Sequence, residues 1–152
     1  MSPRRNNWQR AACGIAVLLL TALPVLARET SVEELKAKLK NATHADEKAS
    51  LAVQVAERQV EAADQLYKAG KTDEAQQAVS DVTSYSQQAC DAALVTGHRV
   101  KNVEIAVRKM AHRLTDMKRQ LTFEDQAPVQ TAIDQLEKIR TDLLNRMFKA
   151  GK

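Results

Sequence analysis

The chain reads as an all-α protein, and three features predict this. Aromatic residues make up only 3% of the 152 residues and there are four glycines, while alanine, leucine, lysine, glutamate and glutamine abound. Such a composition favours helices over sheets. Apolar and small residues recur at alternating steps of three and four from Val79 to Leu121, the signature of one helix face turned toward a partner. Between the candidate helices stand short stop and start signals rather than long loops.

The N-terminus is of a different kind. Arg4, Arg5 and Arg10 precede an uncharged run from Ala11 to Ala27 with "IAVLLL" at its centre. Val25 and Ala27 occupy the positions a signal peptidase accepts, and Pro24 breaks the run just before them. This predicts a secretory signal peptide over residues 1–27, cleaved after Ala27. The alternative is an uncleaved N-terminal membrane anchor, for which the run is short against a span of about 20 residues. Cys13 precedes the apolar run, the wrong side for lipidation. The arginine pair lacks the apolar residues that follow a twin-arginine signal.

Cleavage changes the charge balance. Three of the 23 basic residues and none of the 19 acidic ones lie in residues 1–27, leaving 20 against 19, a net charge of +1. A balance so close to zero supplies no basic field for nucleic acid or an anionic membrane. No membrane span is expected after cleavage.

Residues 28–152 suit a single helical domain. Ser31 opens the first helix, about 32–41, through a capping box with Glu34. "NATHAD" follows, with Asp46 as the expected N-cap of a second helix over about 46–69. Leu51, Val55, Gln59, Ala62 and Leu66 form its expected inner face, flanked by Ala52, Ala56 and Ala63. Gly70 stands where a left-handed residue ends a helix, and Thr72 is the expected cap of the next.

That third helix is expected over about 72–121. Its seam is Val79, Val82, Ser86, Ala89, Ala93, Thr96, Val100, Val103, Val107, Met110, Leu114, Met117 and Leu121. Gly97 lies inside the seam without shifting its phase. One long coiled-coil-like central helix carrying an antiparallel hairpin partner at each end follows from this. The alternative is a compact four-helix bundle folded at Gly97. "LTFEDQAP" ends the seam, and Pro128 fits the first turn of a last helix over about 126–148, with Val129, Ala132, Leu136, Ile139, Leu143 and Met147 inside.

Searching for chemistry narrows the function. His44, His98 and His112 include no pair at i, i+4 spacing, which a helical metal site requires. Met110, Met117 and Met147 fall on apolar stripes and serve as core residues. Glu124 and Asp125 are adjacent acids at a helix start, where they complement the macrodipole. No nucleophile motif, Cys–His pair, phosphate loop or C-x-x-C-H haem motif occurs. No enzyme, cofactor or metal is expected. Cys90, the lone cysteine after residue 27, is either a buried apolar group or an intermolecular disulfide link.

Two local resemblances bear on function. "LYKAGKTDEAQQAV" resembles the turn of a tetratricopeptide repeat, with Gly70, Ala75 and Ala78 at matching places. It covers one hairpin and has no second copy; the resemblance implies a peptide-binding module. "LTFEDQ" resembles an element of small periplasmic stress chaperones, with spacing one residue longer and no second copy; the resemblance implies binding of unfolded clients or metals, in a chaperone or sensor role. The expectation from the sequence is an exported, non-enzymatic helical protein, periplasmic or secreted. It would act through helix–helix contacts with a protein partner or with itself as a homodimer, in a structural or cell-envelope adaptor role. Its candidate seam is Val79, Val82, Ala89, Ala93, Val100, Val103, Val107, Met110, Leu114, Met117 and Leu121.

Overall fold

The computed structural model describes residues 31–149; the signal segment, its cleavage position and Cys13 lie outside them. The described residues form five helices and no strand: α1 (Val32–Asn41), α2 (Ala45–Lys68), α3 (Thr72–Thr96), α4 (Val100–Lys118) and α5 (Phe123–Lys149). The Ser31 hydroxyl accepts the Glu34 N–H at 3.2 Å and fixes the start of α1. Two expected caps sit just inside their helices, Asp46 two positions and Thr72 one position past the capping residue. Asp46 is the second residue of α2 behind His44, and Thr72 is the first of α3 behind Lys71.

The expected central helix over 72–121 is not continuous. Gly97 has φ +77°, a left-handed conformation that ends α3, and its N–H bonds back to the Ala93 carbonyl at 2.8 Å. In one continuous helix Arg113 would lie beyond the level where α2 begins. Instead its guanidinium is 3.5 Å from the Glu61 carboxylate in the middle of α2. The chain therefore folds back at Gly97, and the elongated rod gives way to a four-helix packing.

That packing joins two antiparallel hairpins. Thr96 and His98 reach Asp46, which sets α3 against α2. Arg140 donates to Glu104 at 2.9 Å and Lys118 to Gln130 at 2.5 Å, which sets α5 against α4. Between the hairpins, α2 runs alongside α4, where Val60 and Lys68 line the same groove as Arg113 and Gln120. α3 runs alongside α5, where Gln76 and Thr83 share a groove with Pro128 and Gln135. α2 and α5 lie on a diagonal of the four.

Core chemistry differs between the hairpins. Ala49, Ala52, Ala56 and Ala63 of α2 meet a face of α3 carrying Ala75, Ala78, Val82, Ala89 and Ala93, all buried. Small residues let two helices approach closely. The bulk comes from α4 and α5, where Met110, Leu114, Leu136 and Leu143 are almost fully buried. Of the inner face expected for α2, Val55 and Gln59 are buried together with the flanking Ala52, Ala56 and Ala63, whereas Leu51, Ala62 and Leu66 are only half-buried. The true face is turned by roughly 75° at 3.6 residues per turn, because close contact with α3 selects the alanines.

α5 starts earlier than expected, at Phe123, so Pro128 falls in its second turn. There its missing N–H leaves the Glu124 carbonyl without a helical donor, at an exposed end where water can serve.

Candidate functional site

The seam residues are spent on the chain's own core. Val79, Val82, Ala89, Ala93, Val100, Val103, Val107, Met110, Leu114 and Met117 are each at most 5% exposed. Leu121 is half-buried in the turn after α4. The stripe is covered by α2 and α5 of the same chain, so it is not presented to a partner. Cys90 is 1% exposed and unpaired. Burial, with the nearby Asp91 and Asp142 charges, pushes its thiol up to about 11. In the single chain its sulfur is enclosed by the core.

The remaining sites are dispersed. His44 and His112 are exposed, and Met147 is half-buried against the core. His98 faces Asp46 at 3.3 Å, beside a bond from the Thr96 hydroxyl to the same carboxylate. The Thr96 bond, working against burial and joined by His98 and Arg99, holds the Asp46 carboxyl below the usual range. Among the described residues, no three His, Cys, Asp or Glu gather at metal-binding distance. No described helix is long and apolar enough to cross a membrane.

A roomy cleft lies elsewhere, where α1 crosses the α2–α3 groove on the side away from α4 and α5. A three-helix node holds α1 there. The Asp81 carboxylate of α3 accepts from Lys36 of α1 at 3.3 Å, from Gln59 of α2 at 2.8 Å and from Gln77 at 3.2 Å. Leu35 is buried beneath α1. The Lys36 ammonium also stands 5.7 Å from the Tyr85 ring centre. Partial burial opposes its charge, but the bond to Asp81, with the Tyr85, Asp81 and Glu33 charges, outweighs this and raises its pKa.

Beside this node the cleft opens to about 760 Å³, within the range of about 300–1,000 Å³ typical of ligand sites. Leu39, Ala45, Tyr85, Ala92 and Val95 give it apolar walls. Val95 is 77% exposed although fully apolar. Lys36, Lys40 and Lys48 stand on the rim against a single acid, Asp91. Lys40 and Lys48 carry no ion pair among the described residues. An apolar hollow with surplus positive charge suits an apolar group flanked by acids.

The sequence offered little sign of this site. Lys36 and Lys40 are one helical turn apart and Val95 lies off the seam. Nothing in the pattern places α1 across α3, since that contact depends on Asp81, 45 positions from Lys36. Comparison with family models, with curated proteins and with solved structures finds no match to the chain.

Proposed function

We propose that the protein is an exported, non-enzymatic helical binding protein that acts through protein–protein contacts, as a cell-envelope adaptor or by self-association. The contact surface is the cleft among α1, α2 and α3, in place of the seam now enclosed in the core. The observation that carries this reading is the exposed apolar floor around Val95 beneath the unpaired Lys40 and Lys48. Export rests on the arginines and the apolar run of residues 1–27. N-terminal sequencing of the secreted or periplasmic protein tests it, with Arg28 as the expected first residue.

Binding is tested by fluorescence anisotropy with a labelled peptide in which one phenylalanine is flanked by glutamate and aspartate. The expected result is saturable binding that weakens with salt, since rim charges are screened, and that Lys40→Glu/Lys48→Glu abolishes. Absence of binding up to about 1 mM, the level of about −4 kcal/mol, would rule the cleft out as a protein-binding surface.

A further inference from the structure

We infer that the occupant of the cleft is a second copy of the same chain, which inserts the Phe123 corner between α4 and α5. This rests on reading the cleft as a protein-binding surface. Three large apolar side chains are exposed among the described residues: Val95, Phe123 at 89% and Phe148 at 74%. Val95 already lines the cleft. Phe148 stands between Arg146 and Lys149 in sequence, charges of the same sign as the rim. Phe123 alone is followed by acids, Glu124 and Asp125.

Those acids are available. Neither makes an ion pair among the described residues, and Asp125 accepts only the Thr122 hydroxyl, at 2.8 Å. The corner thus presents a phenyl ring with two negative charges. The cleft presents an apolar hollow with two unpaired lysines. Each supplies what the other lacks.

The two features cannot meet within one molecule. The corner lies at the Gly70 end of the bundle, where α2 Asp64 and Lys68 share a groove with Asp116 and Gln120. The cleft lies toward the other end, between the start of α2 and the last turns of α3. α3, with 25 residues, spans roughly 37 Å between the ends at 1.5 Å per residue. Insertion is therefore intermolecular and joins unlike surfaces head to tail. Such a contact closes as a symmetric dimer where each corner enters the other's cleft, and otherwise propagates into rings or open chains.

Sedimentation velocity over a concentration series tests this, on protein purified after expression of the full chain. The wild type is expected to grow with concentration and to dissociate as salt is raised. Phe123→Ser is expected to weaken growth by at least ~10-fold, as loss of one buried phenyl ring implies, and Lys40→Glu/Lys48→Glu to weaken it comparably by setting like charges against Glu124 and Asp125. An equimolar mixture of the two variants retains one intact corner and one intact cleft. It is expected to form a 1:1 pair and nothing larger. Unchanged helical circular dichroism checks folding; if either variant fails, Phe123→Gln and Lys40→Ser/Lys48→Ser replace them. A wild type that stays monomeric yet binds the acidic phenylalanine peptide overturns this inference and leaves the cleft reading intact. Monomer with no peptide binding overturns both. Association that survives both variants places the interface elsewhere and overturns the inference as well.

Discussion

Replacing Gly97 with alanine tests what divides α3 from α4. The residue sits at φ +77°, and a β-carbon built there would meet only the Arg146 Nη2 atom, at 4.0 Å. Steric crowding therefore adds nothing, and the whole effect comes from holding a non-glycine residue in the left-handed region, about 1–2 kcal/mol. For a domain of this size, with a urea m-value of about 1–3 kcal/mol/M, the unfolding midpoint should fall by roughly 0.3–2 M. Gly70 provides the internal standard, with φ +73° and no neighbouring atom within 4 Å. Gly70→Ala is expected to lose the same amount. The two links differ in one respect. The three-and-four spacing runs through residue 97 unbroken, so alanine there also permits α3 and α4 to join. A joined helix would release the α4–α5 hairpin to pair with a second molecule, the usual route to domain exchange at a hinge. Equilibrium urea unfolding, followed by circular dichroism at low protein concentration, measures the local effect alone. A Gly97→Ala midpoint equal to wild type, beside a clear loss for Gly70→Ala, would refute the claim that the left-handed residue holds this link.

Four further substitutions probe separate parts of the packing. Leu114→Ala removes a side chain with no exposed surface and should lower stability by about 2–5 kcal/mol in urea unfolding. Leu51→Ala, at a half-buried position, should lower it by only about 1 kcal/mol; equal losses would contradict the alanine face assigned to α2. The Ser86 hydroxyl is buried and has no partner among the described residues, so Ser86→Ala should raise stability by about 1 kcal/mol, and a loss would mean that the hydroxyl is satisfied. Cys90 sets an alkaline dependence. Its folded thiol ionises at about 11 and an unfolded one near ~8.5, so the folded state holds the proton longer. Its contribution is full below the lower value and declines as pH rises toward the higher one. Wild type should therefore lose more stability than Cys90→Ala between those two values, and identical pH profiles would contradict the burial of the thiol.

The sequence carried the helices better than their assembly. The Ser31–Glu34 cap and Gly70 are local devices whose residues lie within one or two turns of each other, so they are legible without tertiary knowledge. The seam was legible as an inner face but misleading about continuity. Hydrophobic spacing reports which side chains point inward and is silent on whether the backbone between them stays helical. From Thr96 to Val100 the chain advances four positions, one helical turn, and those positions hold a tight link. α3 and α4 each face the same interior, so their stripes agree in phase on either side of the break. On α2 the large residues Leu51 and Leu66 drew the expected face toward themselves. Interhelical distance decided otherwise, and a distance set by alanines on two helices cannot be read from either one. The cleft was the least legible feature, because its walls come from three helices joined by the side-chain bonds at Asp81.

The diagonal step at Gly97 also bears on how the chain reaches its fold. Within each hairpin, partners adjoin in sequence across short turns at residues 69–71 and 119–122. Closing such turns takes little loop entropy, and local contacts form fast. The hairpins can therefore form separately, and their docking closes the larger loops that bring α4 beside α2 and α5 beside α3. Glu61–Arg113, which bridges the hairpins, belongs to this later event. Lys118–Gln130, which lies within one hairpin, belongs to the earlier one. On this route, substitutions at the inter-hairpin face chiefly accelerate unfolding, whereas those inside a hairpin slow its formation.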